Sequence, residues 1–268
     1  MDPIIAQGLM LIAAGLLAGF LAGLLGIGGG IVTIPVLFIV FGEIGTPEEW
    51  RMHAAIGTSL AIIIATNISS VKAHNDKGGV DWDIAKSWAL VIVMGSVAGS
   101  FFATTLKTAQ LVYIFATLAG FLALKMMLPF DHWKLGERLP SGVFKYLNPT
   151  IIGFFSAIMG IGGGSFSVPY MTLYSVPIHR AVGTASLIGL CISVAGALGY
   201  VVSGTTNAVL PDGFLGFVHW PSALAVAAAA VLMAPVGAKV AHKLPRPVLS
   251  VAFGLFLIVA TLRLISAV

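Results

Sequence analysis

The sequence predicts an all-α integral membrane protein built as two inverted repeats, each a glycine-broken helical hairpin followed by three transmembrane helices. Three observations carry that expectation. The 268 residues are 58% hydrophobic and only 9% charged, with a mean hydropathy of +1.03. Soluble domains carry about 25% charged residues, so there is too little polar sequence here to cover a water-facing surface. Long charge-free runs punctuate the chain, of the order of the 20 residues a helix needs to cross about 30 Å of hydrocarbon. And the pentapeptide Gly26-Ile27-Gly28-Gly29-Gly30 returns as Gly160-Ile161-Gly162-Gly163-Gly164, each copy followed at the same distance by a proline, Pro35 or Pro169.

In order, the runs are Pro3 to Gly42, Ala54 to Val71, Ser87 to Leu106, Thr108 to Leu124, Tyr146 to Ile178, Ala181 to Pro211, Gly213 to Ala238 and Pro247 to Leu262. The first and fifth hold the pentapeptides, and glycine at that density breaks a helix. The fifth run has 33 residues, fewer than the roughly 40 that two crossings and a turn would take. Two half-length helices meeting at a glycine turn inside the membrane are expected there. Aligning Gly19 to Val36 with Gly153 to Tyr170 gives eight identities in eighteen positions, and Ala55-Ile56-Gly57-Thr58 is echoed by Ala181-Val182-Gly183-Thr184. The expected organisation is a first repeat over residues 1–129, a cytoplasmic linker over 130–145 and a second repeat over 146–268.

A hairpin returns to its starting side and three further helices do not, so the two halves should enter the membrane from opposite sides. The cations agree. Lys72, Lys77, Lys86, Lys125, Lys134, Arg138, Lys145, Arg180, Lys239, Lys243 and Arg246 fall on one side, leaving Arg51, Lys107 and Arg263 on the other. The positive-inside rule makes the eleven cytoplasmic and both termini external. The five tryptophans, Trp50, Trp82, Trp88, Trp133 and Trp220, sit in loops or at span ends, as interfacial anchors do.

Inverted repeats with interrupted helices describe secondary transporters, whose substrates bind where half-helices meet. A helix starting after each glycine run presents unpaired N–H groups and a positive dipole end, which suits an anion. The expected substrate-binding residues are therefore Gly28, Gly29, Gly30 and Thr33 in one half, and Gly162, Gly163, Gly164, Ser165 and Ser167 in the other. The recurring polar positions of the following helices join them: Thr58 and Asn67 in one, Thr184 and Ser193 in the other. Arg51, His53, His179 and Arg180 precede the two Gly-Thr pairs and are expected to draw anions to each mouth. Packing glycines, back-bonded hydroxyls and snorkelling cations are the plainer readings of the same residues.

All ten acids, Asp2, Glu43, Glu48, Glu49, Asp76, Asp81, Asp83, Asp131, Glu137 and Asp212, lie outside the expected spans. A carboxylate proton relay is therefore not expected. No metal-ligand spacing, cofactor motif or nucleophile-base pair stands out, and Cys191 is the single cysteine. No cofactor, metal or nucleic acid is expected; the partners are a small anion and the lipid bilayer, and the sequence carries no sign of oligomeric state.

The doubled Gly-x-Gly-Gly-Gly hairpin with its trailing proline, followed by Ala-x-Gly-Thr-Ser or Ala-x-Gly-Thr-Ala-Ser, resembles the sulfite exporter TauE/SafE-type permease family over nearly the whole chain. The resemblance implies an inner-membrane permease moving sulfite, organosulfonates such as sulfoacetate, or other small anions. On that reading the chain is an exporter, not an enzyme, working by alternating access around a site built from the two glycine hairpins. The alternatives are a passive small-anion channel and a permease for a small carboxylate; an intramembrane enzyme is disfavoured because the spans lack a carboxylate.

Overall fold

The computed structural model describes residues 3–25, 29–127, 134–241 and 246–267. Ten helices run through them: α1 (Pro3–Leu25), α2 (Gly30–Glu43), α3 (Glu48–Asn75), α4 (Trp82–Ala103), α5 (Thr108–Met127), α6 (Phe144–Met159), α7 (Gly164–Leu173), α8 (Ile178–Asn207), α9 (Trp220–Ala241) and α10 (Arg246–Ile265). The only strands among the described residues are β1 (Phe214–Leu215) and β2 (Val218–His219), an antiparallel pair in the α8–α9 loop. Five helices, α3, α4, α5, α8 and α9, are long and apolar enough to cross a membrane. Large apolar side chains such as Leu90, Phe121, Leu224 and Leu232 stand exposed on their outer faces, where only lipid is a suitable solvent. The chain is an all-α, multi-pass membrane protein.

Counted in order from α1 and from α6, the two sets of five helices exchange packing partners. α1 lies along α9 as α6 lies along α4, while α3 packs on α8 and α5 on α10. Small residues make these approaches close, as is usual for helices in lipid. A side chain at Gly19 would strike the carbonyl of Ala230 in α9, and one at Gly153 the carbonyl of Ile92 in α4. Those two glycines are aligned in the repeat. The long helices α3 and α8 form the centre, lined by Ile56, Leu60, Ile63, Ile188 and Ile192, all essentially inaccessible.

One expectation is met in the run for which it was made, and another needs correction. The half-length helices appear in the second half, where α6 has 16 residues and α7 has 10. In the first half α2 is short at 14 residues, but α1 has 23 and is about 34 Å long. Its apolar run begins at Pro3 and leaves room for a full helix before the glycines. The tryptophans are not all interfacial. Trp82 and Trp220 are exposed at the starts of α4 and α9, whereas Trp88 is 3% exposed and packs against Tyr170, and Trp50 stacks on His53 and Phe217. Trp133 lies outside the described residues.

Candidate functional site

The second glycine run ends one helix and starts another. Gly160 closes α6 in the left-handed conformation (φ 64°), with Gly160 N–H donating to Ala157 O (3.3 Å) and Ile161 N–H to Ser156 O (3.0 Å). This double bond satisfies the trailing carbonyls and needs a residue without a Cβ penalty. After a turn of glycines α7 begins at Gly164, with Ser167 N–H bonded to Gly163 O at 2.8 Å. Residues 160–165 are all buried.

Two uncharged donors meet beside that start, and a third lies one turn along α7. The Gly163 N–H makes no hydrogen bond to the described residues. Asn67 of α3 is 7% exposed, and its Nδ2 has no partner there either. Both nitrogens flank the bare face of Gly189 in α8: a Cβ on Gly189 would stand 2.7 Å from Asn67 Nδ2 and 3.0 Å from Gly163 N. A Cβ on Gly162 would stand 3.6 Å from the same Nδ2. Ser167, one helical turn beyond Gly163 and fully buried, carries the third unpartnered donor. Ser193 lies one turn from Gly189 on the same face of α8, its hydroxyl turned back to Leu190 O at 3.1 Å. Ser165 is buried in the first turn of α7. The walls are Ile63, Ile188 and Ile192. Unpaired donors at a positive helix end, in a dry apolar surround, suit an anion's oxygen atoms.

The matching place in the first half is filled. In the repeat alignment Ile63 falls opposite Gly189, and its Cδ1 lies 2.6 Å from where a Cβ on Gly30 would stand. Thr33, opposite Ser167, donates to Gly30 O (3.0 Å) and meets Ser59 Oγ at 3.1 Å. Ser59 in turn donates to Gly160 O at 2.9 Å, tying the start of α2 to the end of α6. Gly29 caps α2, and Gly28 lies outside the described residues.

Thr58 and Thr184 do not join the site. Each accepts a backbone N–H from a loop of the opposite half: Thr58 Oγ1 from His219 (2.9 Å), Thr184 Oγ1 from Asp81 (2.8 Å). The glycine before each threonine makes room for the loop's carbonyl, Phe217 O against Gly57 and Gly79 O against Gly183. Both loop residues also cap the next helix, Asp81 Oδ1 accepting Ile84 N–H (3.2 Å) and His219 Nδ1 accepting Ser222 N–H (3.4 Å). On the α8–α9 side Phe217 is wholly buried against Trp50, His53 and Tyr200.

The basic residues also need correction. His53 is fully buried, its Nε2 between Ala103 O (3.2 Å) and Leu106 O (3.1 Å), so it fastens α3 to the end of α4 and cannot draw ions from solution. Arg51 lays its guanidinium over Phe38, 5.3 Å from the ring centre, beside Gly42 near the C-terminus of α2, an end that favours a cation. His179 and Arg180 are exposed, and Arg180 reaches Asp81 at 4.0 Å. Only these two are placed to meet an incoming ion.

Gly189, Ile63 and the two clasping loops were not singled out from sequence. The loops had left a signal: Val80-Asp81-Trp82 recurs as Val218-x-Trp220 at the same place in each half. A recess of about 540 Å³ between α4 and α8 is lined by Val93, Val97, Cys191 and other apolar groups and is separate from the donors.

The model of the sulfite exporter TauE/SafE family matches residues 11–264. A "probable membrane transporter protein" of Haemophilus influenzae is 34% identical over 256 residues, covering 96% of this chain and 97% of its own. A protein of the same description from Methanocaldococcus jannaschii is 26% identical, covering 88% and 86%, and one from Bacillus subtilis is 26% identical, covering 77% and 85%. No solved structure matches. With the family pattern running almost end to end through helices that suit lipid, the chain belongs to the sulfite exporter TauE/SafE family and is a membrane transporter.

Proposed function

We propose that the chain is a secondary transporter of small sulfur-containing anions, such as sulfite or organosulfonates, and works as an exporter in a bacterial-type inner membrane. The observation that carries this reading is the meeting of Asn67 Nδ2 and the Gly163 N–H at Gly189, with the Ser167 hydroxyl one turn further along α7, all buried and unpartnered among the described residues. The site draws on α3 of one half and α7 and α8 of the other, so relative motion of the halves opens and closes it, as alternating access requires. The exchange of packing partners between halves supports an inverted repeat, and the eleven-to-three division of cations supports a cytoplasmic linker with external termini. An inside-negative potential favours outward movement of an anion by about 2.3 kcal/mol per charge per 100 mV, enough for export without a coupling ion.

Counterflow in proteoliposomes tests the reading. Sulfite inside should accelerate entry of labelled sulfite at least several-fold, and Asn67→Leu should abolish that acceleration while the protein still inserts. Flux without acceleration by internal sulfite would indicate a channel. Wild-type counterflow in Asn67→Leu would remove the site from the path.

A further inference from the structure

Resting on the anion-transport reading above, we infer that the site formed by Asn67, Ser167 and the start of α7 selects by charge, admitting monovalent oxyanions such as an alkanesulfonate or hydrogen sulfite, the singly charged form in which sulfite is then carried, and rejecting divalent ones such as sulfate.

The donors at the site are the Asn67 amide and the Gly163 N–H against Gly189 and the buried Ser167 hydroxyl one turn along α7, with no formal charge among them. The α7 N-terminus adds the equivalent of about half a positive charge. Neither Ala54 to Val71 of α3, nor α7, nor Ala181 to Asn207 of α8 contains a lysine, arginine, histidine or acid. The nearest cation along α3 is Lys72, exposed to solvent and about 7.5 Å further along the helix axis than Asn67. His74 lies beyond it. On α8 the nearest is Arg180, whose side chain is 63% exposed and already beside Asp81.

The balance follows from how each energy scales with charge. The cost of taking an ion from water into the apolar space between Ile63, Ile188 and Ile192 rises as the square of its charge. Its attraction to fixed neutral dipoles rises only in proportion to the charge. Doubling the charge therefore quadruples the cost and merely doubles the return, so donors that compensate one charge fail for two. A lysine or arginine at the site would reverse this, as it does where proteins hold dianionic phosphates. Chemical identity matters less than charge: the same three donors fit any small oxyanion.

Equilibrium binding of methanesulfonate and of sulfate to the purified full chain tests the inference, because both anions keep their charge across the neutral range. Methanesulfonate should bind at least about tenfold more tightly than sulfate, roughly 1.4 kcal/mol or more, and Asn67→Leu should lose at least about tenfold of the methanesulfonate affinity. Where Asn67→Leu fails to fold, Ser167→Ala serves, with a smaller loss of the same kind. Asn67→Lys, which replaces the amide by a full charge, should bring sulfate to parity or better. Sulfate binding as tightly as methanesulfonate to the wild type, with both weakened by Asn67→Leu, overturns the charge preference and leaves the site standing. Binding of both anions unchanged by Asn67→Leu and Ser167→Ala overturns the site itself, as does failure of the folded protein to bind either.

Discussion

The two glycine breaks share five residues in sequence and differ in what surrounds them. At the start of α2, Thr33 is bonded to Gly30 O and Ser59, Ser59 reaches across to Gly160 O, and the Ile63 side chain occupies the remaining space. At the start of α7 the corresponding positions are Ser167, with an idle hydroxyl, and Gly189, with no side chain at all. The start of α2 is thus a sealed joint, whereas that of α7 holds spare donors. The lesson is that a repeated motif repeats its backbone geometry, while its chemistry is decided by what the neighbouring helix contributes: isoleucine closes what glycine leaves open.

The largest expected effect separates the breaks directly. Gly163→Val should abolish transport in protein that inserts normally, because its Cβ would stand 3.0 to 3.1 Å from Gly189 N and from the ends of Ile188 and Ile192, within the donor cluster. Gly29→Val meets Ala18 of α1, at 3.1 Å, and should lower stability while each folded molecule still transports. Equal loss of transport in both, measured as flux per folded protein, would break the distinction.

Ser59→Ala should come next. It removes the donor to buried Gly160 O and a partner of Thr33, destabilising by about 1 to 3 kcal/mol with substrate affinity retained; thermal unfolding in detergent alongside anion binding reads both. The loop clasps are weaker. Thr58→Val and Thr184→Val each delete one acceptor for a loop N–H, costing about 1 kcal/mol. In a Cys191→Ala background, Thr58→Val should speed labelling of a cysteine at Leu215 only from outside, and Thr184→Val that of a cysteine at Asp76 only from the cytoplasm. Faster labelling of both from one face would break the proposed opposite orientation of the halves.

The smallest effect is a pH dependence of the clasp on the Thr58 side. Burial holds the His219 imidazole below its ordinary pKa, and its Nδ1 accepts from Ser222 only when unprotonated. Since the folded value is depressed, the loop's stability is complete above the unfolded value of about 6.5 and declines as the pH falls below it. Labelling at Leu215 should accelerate on acidification, and His219→Gln should flatten that response.

Much of this was legible in sequence. Dense glycines marked both helix breaks because no helix tolerates them. Asn67 was marked by recurrence and Ser167 by its place just past the second glycine run. The role of Thr58 and Thr184 was not legible, because a hydroxyl that holds a ligand and one that holds a loop look alike until the loop is seen docked. Gly189 was hidden among Gly183, Gly196 and Gly199 on the same helix, whose work is packing. His53 read as a mouth residue because sequence gives its neighbours along the chain and not the Ala103 and Leu106 carbonyls that face it.

The crossed clasps bear on how the chain is made. Synthesis runs from the N-terminus, so the groove at Gly57 and Thr58 stays without its occupant until Phe217 and His219 have been added, some 160 residues later. The Ser59 hydroxyl likewise waits for Gly160. The first five helices therefore enter the membrane with their central surface unfinished, and the second five complete it while borrowing Asp81 and Gly79 for themselves. Neither half carries the means to close its own middle. The two would have to be supplied together, as separate fragments or as one polypeptide, for either to reach its final form.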